Sequence, residues 1–122
     1  MLASSAGAAD GNFDAEFDGV NRLRAQAGLP VLARDAALDA AARDHAAYLD
    51  RHREPGRKAH GVSAHQQLPD HAGFSGAMPT DRALAAGYAH RDVLENVSMG
   101  YDDAASALEG LMSAIYHRLT FL

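Results

Sequence analysis

Cysteine is absent from the 122 residues, so this chain has neither disulfides nor thiolate metal sites. An excess of basic charge is missing too. With 11 Lys and Arg against 16 Asp and Glu the net charge is −5, which gives no broad positive field, and no nucleic-acid partner is expected. The one basic cluster, Arg51-His52-Arg53 with Arg57-Lys58, is broken by Glu54-Pro55-Gly56 and reads as a solvated helix exit rather than a phosphate site. No stretch approaches the roughly 20 apolar residues of a membrane-spanning helix, so no span is expected. Met1 to Ala9 is Ala/Ser-rich without a basic start or a proper apolar stretch. It is therefore not an intact signal peptide; residues 1–10 are expected to form a flexible N-terminal segment, compatible with the tail of a longer leader. Ser98, Ser106 and Ser113 stand in no Gly-x-Ser-x-Gly elbow, and Gly-rich phosphate loops are lacking, which leaves nucleophilic hydrolysis and nucleotide binding without support.

What is present is ordinary globular material: 48% hydrophobic and 22% charged residues, enough for one domain with a modest core. Phe13, Phe17, Val20, Leu23 and Ala27 follow steps of three and four, and Gly28-Leu29-Pro30 supplies a stop, which predicts a first helix. Asp35 is placed to cap a second, with Leu38, Ala41, Ala42, His45 and Leu49 on its apolar face. Residues 54–77, rich in Gly, Pro, Ser and His, read as a long functional or mobile loop. Pro79-Thr80 should open a short third helix that stops at Gly87, and Val93 to Met99 alternates like one short strand. Asp102 or Asp103 should cap a fourth helix, with Ala105, Leu108, Met112 and Ile115 facing inward.

Several short motifs run in a telling order. These are Asn21-Arg22-Leu23-Arg24-Ala25-Gln26-Ala27-Gly28-Leu29-Pro30, Leu38 to Ala46, Gly73-Phe74-Ser75-Gly76, Asp81-Arg82, Ala86-Gly87-Tyr88, Glu95-Asn96 and Tyr116-His117-Arg118. Together they resemble the CAP superfamily (cysteine-rich secretory protein, antigen 5, pathogenesis-related 1), in particular its cysteine-poor bacterial branch. The resemblance implies an α+β fold, the CAP-like α-β-α sandwich. This chain would hold mainly its helical N-terminal part, about four helices and one short strand over residues 11–122, either as a fragment of a longer domain or as a natively shorter one without most of the sheet. It further implies an extracytoplasmic location, secreted or periplasmic. Apolar helix faces left without that sheet would be covered by self-association or by an altered packing, and a homo-oligomer, most simply a dimer through helix one or four, is expected.

In members of this family two histidines and one or two glutamates line a central cavity. The matching residues are His65, Glu95 and His117. His65 and His117 would then be the ligands of Zn²⁺ or another divalent metal, and Glu95 would orient an imidazole or act as a catalytic base on bound water. His60 and His71 share the loop with His65, and Glu109 is the one candidate for a second acid. By position, His45 reads as a satisfied core residue, Arg82 as a packing and hydrogen-bonding residue, Arg118 as a structural anchor, and His52 and His90 as solvated. Three functions follow: an extracytoplasmic CAP-type binding module for a divalent metal or small apolar ligand, a metal-dependent hydrolase using Glu95, or a helical interaction fragment without a site.

Overall fold

The computed structural model describes residues 2–4, 14–52 and 63–122. Its elements are β1 (Leu2–Ser4), α1 (Asp14–Gln26), α2 (Ala36–His52), α3 (Pro79–Ala85), β2 (Asn96–Ser98), α4 (Ala104–Ser113) and α5 (Ile115–Phe121). The long loop read from sequence is described only from residue 63 on, and His60 lies outside the described residues.

Local chemistry sets most boundaries. Asp14 and Glu16 put negative charge at the start of α1, where the helix dipole favours it. The helix stops at Gly28, whose φ of 74° suits glycine. Gly28 N–H donates to Ala25 O at 3.0 Å and Leu29 N–H to Arg24 O at 2.9 Å, the paired bonds of a Schellman turn. The same pair closes α3, from Gly87 to Leu84 O and from Tyr88 to Ala83 O. Asp35 caps α2 as its position suggested, its Oδ1 accepting from Ala37 and Leu38 N–H at 2.9 and 3.1 Å. Asp103 does so for α4, accepting from Ser106 N–H at 2.7 Å; these bonds hold its carboxyl below the usual range.

The expected fourth helix is two. Ala114 adopts an extended ψ of 119° between α4 and α5, and Ile115, expected on the inner face, is exposed. The single expected strand likewise has a partner: β1 and β2 pair in parallel, with Leu2, Ala3 and Ser4 opposite Asn96, Val97 and Ser98. Residues 2–4 of the N-terminal segment are thus in the sheet. β1 lies against α2, which carries α3, while β2 lies against α4, which carries α1. Helices thus pack against both strands of a narrow sheet, in keeping with a partial, mostly helical α+β fold.

Two small cores result. Val20, Leu111 and Phe121 pack with Leu108 and Met112 where α1, α4 and α5 meet, and Tyr48 and Leu49 pack with Val97 where α2 meets the sheet. Alanines 41, 42 and 46 let α2 approach closely. At the α1–α4 contact a Cβ on Gly19 would lie 2.9 Å from Leu108 Cδ2, so Leu108 packs directly over the α1 backbone there.

Candidate functional site

Glu95 sits on the residue before β2, and its side chain is only 1% exposed. Burying a carboxylate is costly unless it is paired, and the partner is Arg82. Arg82 is itself buried on the inward side of α3 beside Ala83. Its Nη2 donates to Glu95 Oε1 and Oε2 at 2.9 and 2.8 Å. Its Nη1 donates to the main-chain oxygens of His65 at 3.0 Å and Gly76 at 3.4 Å. Gly76 has no room for a side chain: a Cβ would lie 2.7 Å from Arg82 N and 2.8 Å from Asp81 C. The missing Cβ lets the loop close on α3 and brings the Gly76 carbonyl to the guanidinium.

His65 is the third member. Its Nδ1 lies 2.9 Å from Glu95 Oε1. A carboxylate engaged by a guanidinium is an acceptor, so Nδ1 carries the proton of this bond, and Nε2 is the nitrogen that has a lone pair to offer when the ring is neutral. His65 is 38% exposed, in contrast to the 1% of Glu95. The cluster thus presents one oriented imidazole to solvent from a buried, charge-balanced base.

His45 completes the floor. Its side chain is fully buried, and its Nε2 is 3.8 Å from Glu95 Oε1. That Nε2 is 2.8 Å from Ala64 O, a group that can only accept, so Nε2 bears the hydrogen. Nδ1 then accepts from Gln67 Nε2 at 3.0 Å. The amide orientation of Gln67 is fixed in turn by Ser75 N–H, which donates to its Oε1 at 2.8 Å. This relay has one direction and requires a neutral imidazole. Burial, followed by the nearby Arg82 cation, lowers the His45 pKa, outweighing the raising effect of Glu95.

Asn96 ties α5 to the sheet. Its Nδ2 donates to His117 O at 3.3 Å and bonds Thr120 Oγ1. His117 therefore meets the site through its carbonyl, and no described hydrogen bond or ion pair joins its imidazole to Glu95 or His65. Among the described residues no three His, Cys, Asp or Glu side chains are grouped to hold a metal. Arg118 anchors the α4–α5 junction as expected, its Nε donating to Met112 O at 2.8 Å. Glu109 is exposed on α4.

Position in sequence left three cluster residues in structural roles or unnoticed. His45 is the satisfied core histidine it was read as, yet it also borders Glu95. Arg82 does hydrogen-bond, and its partner is the candidate acid. Gln67 gave no signal beyond its place between His65 and the Gly-aromatic motif. His52, read as solvated, is instead packed: its Nε2–H donates to Ala72 O at 2.7 Å, and its ring stands 4.5 Å from Tyr48 and 4.7 Å from His71. His71 Nδ1 bonds the Tyr48 hydroxyl at 3.2 Å, which takes it away from the Glu95 cluster.

The model of the cysteine-rich secretory protein family, CAP, matches residues 17–122, a span that includes every member of the cluster. Neither curated proteins nor solved structures gave a match.

Proposed function

Because the chain belongs to the CAP family, we propose that it is an extracytoplasmic binding module whose recognition group is the His65 imidazole, held by Glu95 and Arg82. The observation that carries this reading is the contrast in exposure between His65, at 38%, and the carboxylate that holds it, at 1%. A purely structural ion pair would need no oriented imidazole at the surface. A carboxylate behind the far nitrogen of an exposed histidine is the arrangement that fixes tautomer and ring orientation for a ligand on the near nitrogen.

The ligand we propose is a divalent ion such as Zn²⁺, bound through His65 Nε2 with His117 as the second protein ligand. Support for His117 is indirect: Asn96, the neighbour of Glu95, anchors the carbonyl of His117, so α5 is tied to the strand that follows the acid. Two imidazoles make a weak site, in the micromolar range or above, and binding should weaken with acid because imidazole ligates in its neutral form. Calorimetry with Zn²⁺ on the parent, His65→Ala and His117→Ala tests the assignment. Both substitutions should weaken binding, and equal binding by all three chains would overturn it.

The hydrolase alternative, with Glu95 as general base, loses support from the geometry. Both Glu95 oxygens are engaged by Arg82 and one also by His65, and at 1% exposure the carboxylate offers a substrate water no open approach. Metal-dependent peptide or ester turnover that disappears in Glu95→Gln would restore it. Location outside the cytoplasm rests on the secretory character of the family, and fractionation that finds the chain in the cytoplasm would contradict it. The macromolecular partner in this reading is a second copy, since Ile115, Tyr116 and Leu119 on α5 remain exposed.

A further inference from the structure

An open cavity of ≈ 430 Å³ lies on the α1 side of the domain, with walls from α1, α2, α5 and the segment leading into β2. Its apolar walls include Phe17, Val20, Leu38, Leu94 and Phe121. His65, Arg82 and Glu95 are not among its lining residues. Two buried polar side chains also line it, Glu16 and Asn96. Glu16 is 7% exposed and Asn96 2%. Each has a buried oxygen, Glu16 Oε2 and Asn96 Oδ1, without a hydrogen-bond partner among the described residues.

Buried acceptors are nearly always satisfied, and two left open among the described residues in the lining of one cavity call for a donor. Charge narrows its chemistry. The lining holds the carboxylates of Glu16, Asp35, Asp39 and Asp92 against a single cation, Arg34. Arg34 is already engaged by Asp14 and Asp39, and Asp35 is occupied at the start of α2. Glu16 is the buried acid with an oxygen to spare. Drug-sized pockets combine apolar walls with a few convergent polar groups that fix orientation, and here those groups are acceptors, one of them an acid.

We propose that this cavity is a second binding site, for a small amphipathic amine whose ammonium donates to Glu16 and Asn96 and whose apolar body lies on Phe17, Leu38 and Phe121. An ammonium supplies three donors and, like a lysine side chain, stays charged at neutral pH. A carboxylate of the same shape brings acceptors to acceptors and charge to like charge. The site thus discriminates by head group, while the body contributes affinity common to all such ligands.

The test uses three probes with one body and different heads: 4-phenylbutylamine, 4-phenyl-1-butanol and 4-phenylbutyrate, titrated into the full chain and followed by calorimetry and amide chemical shifts. One amine per chain should bind, about tenfold or more tighter than the alcohol, as expected for a charge-assisted bond. The carboxylate should bind weakest, and shifts should map to α1 and α5. Glu16→Gln should bring amine and alcohol to similar affinity, whereas Leu32→Ala, an exposed lining position, should weaken both without changing their ratio. If Glu16→Gln fails to fold, the amine-to-carboxylate ratio in the parent still decides. Equal affinity for amine and carboxylate, shifts confined to other surfaces, or no binding by any probe would each overturn the proposal. No binding together with a dimer in sedimentation would assign the cavity to a second copy instead.

Discussion

Replacing Arg82 with methionine keeps most of the side-chain volume and removes the charge that neutralises Glu95. The carboxylate would then remain at 1% exposure with His65 Nδ1 as its one remaining side-chain donor among the described contacts. Four described bonds vanish together, two to the carboxylate and two to the carbonyls of His65 and Gly76. Breaking one side of a buried ion pair costs about 3–5 kcal/mol, a large part of the roughly 5–15 kcal/mol that holds a domain folded. Glu95→Gln is milder, about 1–3 kcal/mol, because the amide still accepts from a guanidinium that retains its carbonyl partners. In Arg82→Met/Glu95→Gln the unpaired anion is gone, so the double variant should be more stable than the sum of the single losses predicts, with a coupling of about 1–3 kcal/mol. Urea unfolding followed by circular dichroism at neutral pH gives all four corners of the cycle. Should Arg82→Met not fold, recovery of folding on adding Glu95→Gln reports the same coupling. A loss below about 1 kcal/mol for Arg82→Met, or strict additivity, would mean that the pair is solvated and that Glu95 does not hold His65 from a buried base.

The depressed pKa of His45, caused first by burial and then by Arg82, makes stability depend on pH in a defined direction. The folded chain holds this proton less well than the unfolded one, so the contribution is complete above the ordinary histidine value of about 6.5 and is lost as pH falls from there toward the lower folded value, at up to about 1.4 kcal/mol per pH unit. Urea midpoints taken across that window should fall in the parent and flatten in His45→Gln; identical slopes would refute a His45 ring held neutral by burial and Arg82. On α5, Ile115, Tyr116 and Leu119 are 65%, 83% and 69% exposed. The parent should therefore sediment as a dimer at micromolar concentration and Leu119→Asp as a monomer, and a parent that stays monomeric at high micromolar concentration would remove the second copy from the proposed function.

How much of this could be read in the sequence depended on the range of the interactions. α1 and α2 were legible because three- and four-residue spacing reports one helix face, and their ends because Asp35 and Gly28 act on backbone groups only a few residues away. The break at Ala114 was not legible. The apolar steps from Ala105 to Ile115 suit one continuous helix, while α5 is held in its own direction by Asn96, over twenty residues earlier in the chain. β1 was not legible either, since its pairing with β2 joins residues separated by most of the sequence, Leu2 with Asn96.

The candidate site divides in the same way. Glu95 and His65 were found through motif order, and the structure brings them to 2.9 Å. Arg82 and His45 were set aside because a sequence position shows which face of a helix a residue shares but not which charge waits across the cleft. For His45, the choice between core residue and site residue was itself the wrong division. Both its nitrogens are satisfied, as a core histidine requires, and that satisfaction is what keeps a neutral ring 3.8 Å from Glu95, where a second cation would compete with Arg82 for the carboxylate. A histidine fixed as neutral on one side and a guanidinium fixed as charged on the other together define how Glu95 is shared. That leaves His65 as the one partly exposed member of the set, which is why the proposed ligand is assigned to it.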